Sequence, residues 1–460
     1  MLTYPMEERG DLPLYEYLYR RIREDILSGK LTAGERLPSK RALAEHLHLS
    51  VITVEGAYAQ LEAEGYLYTL PKRGFFVSQV DRTPAPQAPE PPAIPEPEAA
   101  RTWRLDLKSN QVDTARFPVS TWARLTRQVL SEDGTALLRP VPHQGLEALR
   151  RAIADDLRDY RGMSVSPEQI IVGAGAEYLY LLGPGAVFAA EDPGYPKIRQ
   201  VYGKCGAACR PVPLDAQGMD LAALTASGAT VAHLSPSHHY PTGLVTPIAR
   251  RQALLRWAEQ VDGFIIEDDY DSEFRYHSRP IPSIASLSPG DNVVYMGTLS
   301  KILSPGLRVS YMVLPPPLAQ VYDREFAEYP ASVSMLEQRV LEQFLASERW
   351  EAHLRRVCTA NRKKHDLLVR CLKEELGGRF AVRGENAGLH LMVQSLEGRG
   401  EEELIRRALE RQVRVYPVSR YWMERERYGG DMVLLGFAGL SEGEIGEGVR
   451  LLGKAWGEGC

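Results

Sequence analysis

Lys301 lies in the run Gly297-Thr298-Leu299-Ser300-Lys301-Ile302-Leu303-Ser304-Pro305-Gly306-Leu307-Arg308. A lysine amine can form a Schiff base with an aldehyde, and the Thr298 and Ser300 hydroxyls and the Arg308 guanidinium are donors that suit a phosphate. Upstream, Ile265-Ile266-Glu267-Asp268-Asp269-Tyr270-Asp271 ends an apolar run in a block of acids. A buried carboxylate there can keep a ring nitrogen protonated; Asp268, at the strand end, is assigned that role and Asp269 is its competitor. Earlier still, Gly173-Ala174-Gly175-Ala176-Glu177 joins an apolar run to a helical stretch. The backbone N–H groups of Gly175, Ala176 and Glu177 can therefore cradle an anion at the positive end of a helix.

The elements that must position these groups follow from periodicity. Residues 170–172, 230–234, 263–266 and 292–296 are short apolar runs suited to buried parallel strands, and stretches such as 247–259 have helical spacing. Their alternation predicts an α/β domain over residues 101–460, its large part at about 130–330. A helix-rich stretch over 342–371, followed by strands at 388–393 and 432–437, predicts a small C-terminal subdomain at about 340–460.

Residues 81–100, DRTPAPQAPEPPAIPEPEAA, hold seven prolines and four acids. That composition favours polyproline II and predicts a semi-rigid linker of up to about 60 Å at 3.1 Å per residue. Ahead of it, Leu14, Leu18, Ile22 and Ile26 mark a helix that ends near Ser28-Gly29. Ser39 is placed to cap a second helix over 40–47, and Ser50 a third with the stripe Val54, Ala57, Tyr58 and Leu61. Two alternating segments, 66–69 and 75–78, flank Pro71-Lys72-Arg73-Gly74 as a hairpin. Residues 1–80 thus read as a winged helix-turn-helix, a usual DNA-binding shape. Ser39 and Ser50 stand at helix starts whose N–H groups favour phosphate, and Arg73 at the wing tip can reach a groove.

Gly34-Glu35-Arg36-Leu37-Pro38-Ser39, Leu43-Ala44, Leu49-Ser50, Thr53-Val54, Ala57-Tyr58, Leu61, Glu64-Gly65-Tyr66-Leu67 and Gly74-Phe75-Phe76-Val77 together resemble the GntR family. The resemblance implies that Arg36, Ser39, Lys40, Arg41, Ser50, Thr53 and Arg73 face operator double-stranded DNA. One position departs from it. The family often has Arg just after the serine that starts the recognition helix; Val51 stands there, which leaves apolar contact with a thymine methyl.

The Lys301 run, the 173–177 and 267–274 motifs, Glu191-Asp192-Pro193-Gly194-Tyr195 and Ser235-Pro236-Ser237-His238-His239-Tyr240-Pro241-Thr242-Gly243 fall in the chain order of a fold-type I aminotransferase. Over essentially its whole length the sequence resembles the MocR/GabR-type regulators, in which a GntR winged helix is fused to an aspartate-aminotransferase-like domain. That implies pyridoxal 5'-phosphate joined to Lys301, with Tyr195 against its ring, Asp268 on the pyridine nitrogen and Tyr270 on the phenolic oxygen. Gly175, Ala176, Glu177, Thr298, Ser300 and Arg308 would hold the phosphate. Tyr240 stands where aminotransferases usually carry Asn, as is typical of the regulators. His238 and His239 are expected to line the pocket or its rim, and a homodimer is implied because fold-type I sites form at a dimer interface.

The favoured function is a transcriptional regulator that senses pyridoxal phosphate or an amine or amino-acid effector through Lys301 aldimine chemistry. The alternative is a pyridoxal-phosphate-dependent aminotransferase with an accessory N-terminal domain. Aminotransferases clamp the substrate α-carboxylate with an Arg near the last small-domain strand, but Met432-Val433-Leu434-Leu435-Gly436-Phe437-Ala438 contains none. An unpaired carboxylate in an apolar pocket is costly. Either the effector is not an ordinary α-amino acid, or Lys197 or Arg420 binds its acid group.

Composition bounds these readings. With 55 Lys and Arg against 60 Asp and Glu the formal charge is -5, and residues 1–80 hold 10 basic and 11 acidic side chains. No broad basic field exists, so DNA contacts must concentrate on one face. Five cysteines without C-x-x-C spacing argue for free thiols and against a zinc site. The first ten residues lack an apolar core, and the apolar stretch 178–190 is broken by Gly183-Pro184-Gly185 and too short for a bilayer. A cytoplasmic location without membrane association is expected.

Overall fold

The computed structural model describes residues 2–80, 103–109, 111–173, 186–276, 281–288 and 291–457. The linker 81–100, Gly175, Ala176, Glu177 and Cys460 lie outside the described residues. The chain divides into two compact units, Met1–Ala100 and Arg101–Cys460.

In the first unit, α1 (Leu14–Leu27) buries Tyr17, Leu18, Ile22 and Ile26, while α2 (Lys40–His46) and α3 (Val51–Ala63) each begin at a serine cap. Ser39 Oγ accepts from Ala42 N at 3.2 Å and Ser50 Oγ from Thr53 N at 3.1 Å, which satisfies donors that a helix start otherwise leaves open. Val54, Ala57, Tyr58 and Leu61 turn from α3 into the core, each large apolar side chain contributing roughly 1.5–3 kcal/mol by burial. The wing is β1 (Leu67–Leu70) and β2 (Gly74–Val77), paired from Leu67↔Val77 to Leu70↔Gly74. Both strands are displaced by one residue from 66–69 and 75–78. The cause is local: Tyr66 N closes the end of α3 on Leu61 O at 2.8 Å, and Gly74, at φ 106°, lets the ladder start at the turn. Gly34 to Leu37 also runs along β2, with Leu37 N donating to Phe75 O at 2.9 Å, which sets Arg36 beside the wing.

In the second unit the strands are β3 (Leu105–Asp106), β4 (Ile170–Gly173), β5 (Val187–Asp192), β6 (Ala208–Asp215), β7 (Gly218–Met219), β8 (Val231–Leu234), β9 (Phe264–Asp269), β10 (Val293–Thr298) and β11 (Ser310–Val313). Eight of them form one sheet in the order β4-β11-β10-β9-β8-β5-β6-β7. Ile265 and Ile266, adjacent on β9, enter cores on opposite faces, so the sheet is covered on both sides. The sheet is not wholly parallel. After β10 the chain turns back without a crossover and β11 pairs antiparallel with both β10 and β4. Thr298 then faces Ser310, and the Lys301 run becomes the loop of that return.

The third and fourth apolar runs extend further than their hydrophobicity predicts, to Asp269 and Thr298. Glu267 and Asp269 stay in the strand because they are matched: Glu267 accepts the N–H groups of Ile284 (3.0 Å) and Ala285 (2.9 Å), and Asp269 pairs with Arg161. A second sheet follows from β12 (Phe380–Arg383), β13 (His390–Ser395), β14 (Val413–Arg414), β15 (Tyr416–Pro417) and β16 (Met432–Gly436), in the order β12-β13-β16-β15, with β14 pairing β3 instead. The helices Glu348–Leu376 and Glu442–Gly457 supply Leu368, Leu372, Val449, Leu452 and Trp456 to its core. No described helix is long and apolar enough to cross a membrane.

Candidate functional site

Asp192, Ser235, Asp268 and Thr298 all stand at or just past the C-terminal ends of β5, β8, β9 and β10, the edge where open α/β sheets place their ligand sites. Lys301 follows in the return loop. Burial lowers its amine from 10.5 to about 8, against the opposing pull of the Asp271 and Asp268 carboxylates. A neutral amine is the nucleophilic form, so this lysine is readied for addition to a carbonyl.

The alternation of β9 separates the two neighbouring acids. Asp269 points into the core, where Arg161 Nη2 lies 2.5 Å away, Tyr295 OH donates to it at 2.5 Å and Ser272 Oγ at 3.0 Å. Asp268 points the other way and keeps 26% of its side chain exposed, with His233 Nε2 3.9 Å from its Oδ2. Tyr202 OH holds His233 Nδ1 at 2.7 Å, which orients that ring toward the carboxylate. Of the two, Asp268 has the face open to a ligand.

Tyr270 OH meets His238 Nδ1 at 3.2 Å, and the same nitrogen lies 2.9 Å from Asp271 Oδ2. His238 and His239 are both fully buried, behind the cleft and not at its rim. A Cβ on Gly388 would stand 1.8 Å from the His238 ring, so only glycine fits there. Burial drives His239 down to about 3, leaving it neutral, and pushes the Glu191 carboxyl up to about 8 although Ser235 N donates to it at 2.9 Å. Tyr240 OH bridges Ser109 Oγ (3.0 Å) and Tyr421 OH (2.7 Å), and its ring edges against Tyr195 at 5.8 Å. The Tyr195 ring is 40% exposed and lines the cleft.

At the other end, Thr298 Oγ1 accepts from Ser300 N at 3.2 Å and from Ser310 Oγ at 3.1 Å, which shapes the start of the loop. Arg308 closes the loop in the left-handed region, φ 53° and ψ 37°, an uncommon conformation for a side chain with a Cβ. Burial raises the Tyr195 hydroxyl, and the Arg308 charge opposes that rise. This donor set fits a phosphorylated aromatic aldehyde: an amine whose proton is loosened by burial, a carboxylate with an open face, a phenol ring, and hydroxyls with a guanidinium beyond. Ser109, His233 and Tyr421 are additions that sequence reasoning missed. Each lies in a different segment, and no local pattern marks it.

Lys197 and Arg420 come together in one cleft of about 620 Å³, beside Tyr195 and Tyr240. Arg420 Nη2 donates to Tyr421 OH at 2.6 Å, and its guanidinium lies 4.9 Å from that ring's centroid. On the last strand segment, Phe437 and Ala438 are fully buried and no arginine replaces them.

In the first unit Arg36, Ser39, Arg41, Ser50 and Arg73 are exposed, and Lys40 and Thr53 half-exposed. The Ser39 and Ser50 hydroxyls cap their own helices, and Lys40 Nζ is paired with Glu55 at 2.6 Å. Val51 and Ile52, at 42% and 79% exposure, are the apolar side chains at the start of α3.

Residues 14–77 match the gntR family of bacterial regulatory proteins, and residues 104–445 match aminotransferase class I and II. The chain is 37% identical to the HTH-type transcriptional regulator YdeL of Bacillus subtilis over 97% of both chains. It is 30% identical to the probable rhizopine catabolism regulatory protein MocR of Rhizobium meliloti, covering 98% of this chain and 95% of that one. Among solved structures, the multiple substrate aminotransferase of Thermococcus profundus superposes with a TM-score of 0.70 at 23% identity, covering 77% of this chain and 92% of its own; that likeness shows the fold alone.

Proposed function

Because the chain belongs to the MocR-type transcriptional regulators, a gntR-family domain joined to an aminotransferase class I and II domain, we propose that it binds operator DNA through its winged helix and pyridoxal phosphate through Lys301. The observation that carries the cofactor assignment is the Lys301 amine, lowered to about 8 by burial and within electrostatic reach of the Asp271 and Asp268 carboxylates. Bound there, pyridoxal phosphate would supply an aldehyde open to reversible exchange between amines. The chain's own part is placement. Asp268 would hold the proton on the ring nitrogen and Tyr195 would cover the ring. Tyr270, with the His238–Asp271 pair behind it, would donate to the phenolic oxygen. Thr298, Ser300 and Arg308 would hold the phosphate with Gly175, Ala176 and Glu177. An amine, amino acid or the cofactor itself, by binding one arrangement of a homodimer better than another, would shift operator affinity. Borohydride reduction of the cofactor-loaded protein, followed by peptide mapping, should find the label on Lys301, and Lys301→Ala should lose it; label elsewhere, or retained in the variant, overturns the assignment.

A further inference from the structure

The cleft that holds Lys197 and Arg420 carries more positive charge than those two supply. Lys108, Arg199 and Arg425 line it as well, and among the described residues no carboxylate lines it, in a chain whose formal charge is -5. Three acids near these cations in sequence are engaged elsewhere. Asp106 accepts from Tyr416 OH at 2.7 Å, Glu424 pairs with Arg427 at 2.7 Å, and Asp192 accepts the Met423 (2.6 Å) and Glu424 (3.1 Å) N–H groups. Among the described residues, none of the five cations has a carboxylate partner.

Several features concentrate this field. Arg420 is fixed by Tyr421 OH and by the Tyr416 and Tyr421 rings, 5.9 and 4.9 Å from its guanidinium, so it is oriented before a ligand arrives. Arg199 lines both this cleft and the adjoining recess beside Glu191 and Ser235. The helix Pro196–Lys204 begins at the cleft with no side chain capping it, which adds its positive end to the charges of Lys197 and Arg199. Tyr195, Tyr416 and Trp422 supply low-dielectric aromatic walls between the cations, which sharpens the potential. One carboxylate can be shared by two of these cations and leaves three unmatched.

We propose that the effector of this regulator carries two separate anionic groups as well as its amine, a dicarboxylic amino acid being the class that fits. The first acid group meets Arg420 and Lys197, and the second meets Arg199 with Arg425 and Lys108. This rests on the reading of Lys301 as the point of amine exchange. It also resolves the missing arginine of the last strand, since the cleft offers cations from the helix Pro196–Lys204 and from the 420–425 segment in its place.

The test uses full-length, cofactor-loaded protein and near-isosteric pairs that differ in one charge, L-glutamate against L-glutamine and L-2-aminoadipate against L-norleucine, followed by the visible absorbance and by calorimetry. Each dicarboxylate should bind about tenfold or more tightly than its monocarboxylate partner at low salt, the size of one charge-assisted hydrogen bond. The ratio should shrink as salt rises and fall toward one in Arg199→Gln and Arg425→Gln, with retained visible absorbance showing that each variant is folded and loaded. Equal affinities within each pair, or a ratio unchanged in both variants, overturns the inference while amine exchange at Lys301 stands. If no amine alters the absorbance of protein whose lysine is reducible by borohydride, the amine-sensing reading falls and takes this inference with it.

Discussion

In the N-terminal unit the candidate contact residues lie between Arg36 and Arg73 and are exposed or half-exposed, whereas the candidate site of the C-terminal unit draws on residues from Lys108 to Arg425 and rests on a buried polar layer that includes His238, His239, Tyr240 and Asp269. The same side-chain types therefore behave differently. Lys40 and Glu55 form an exposed pair worth about 0–1 kcal/mol, which DNA phosphate can displace at little cost. Arg161 and Asp269, almost fully buried, form a pair that can only be broken at large cost. A DNA face has to exchange water for phosphate readily, and a cofactor pocket has to hold its groups still.

The contrast can be sharpened first through pH. Lys301 is protonated below about 8, so the rate at which cofactor-free protein captures pyridoxal phosphate should fall roughly tenfold per pH unit below that value and level off above it. Stopped-flow absorbance measures this; a midpoint near 10.5 would mean that the amine is not buried as described. Operator affinity of the exposed face should not follow that curve.

Next in size is a pair of substitutions in one dipeptide. Asp269→Asn leaves Arg161 buried without its counter-charge and should destabilise the C-terminal unit by about 3–5 kcal/mol in denaturant titration. Asp268→Asn should cost less than about 1 kcal/mol in stability, as befits a partly exposed acid, and should instead weaken cofactor retention. If the two variants are equally unstable, the assignment of opposite faces fails.

On the DNA side, Arg73→Ala or Arg41→Ala should weaken operator binding by about 1–3 kcal/mol where the residue meets a base edge, or lower the salt slope by about one where it meets phosphate. Titrations at several salt concentrations separate the two; no change in either quantity for both variants removes wing and α2 from the interface. The smallest effect expected is Ser50→Ala, whose lost cap on Thr53 N should lower the thermal stability of the N-terminal unit by about 1 kcal/mol. An unchanged melting temperature would show that water replaces the hydroxyl without loss.

The first unit was almost wholly legible in the sequence because its determinants are local. A serine cap, a 3.6-residue stripe and a glycine turn each act within a few residues, and the two strand boundaries were displaced by only one position where Tyr66 closed a helix. In the second unit the cores of β4, β8, β9, β10, β13 and β16 were legible from their apolar runs, but the ends of β9 and β10 and other strands of the same sheet, such as β5 and β11, were not. Glu267 and Asp269 continue β9 only because Ile284, Ala285 and Arg161 come from elsewhere to match them. The reversal of β11 was likewise hidden, since an apolar strand reads the same in either direction.

What the sequence determined by itself was the set of groups that bear chemistry: Lys301 with its hydroxyls and Arg308, the acidic block after Ile266, and the serine-capped helices of the N-terminal unit. Tertiary structure decided which of these groups face a ligand. It turned Asp269 onto Arg161 and left Asp268 open, placed His238 behind Tyr270, and gathered Lys108, Lys197, Arg199, Arg420 and Arg425 around one cleft. The reason is physical: the identity of a side chain is fixed by covalent order, but its burial, its field and its partners are set by segments that meet only when the sheets assemble.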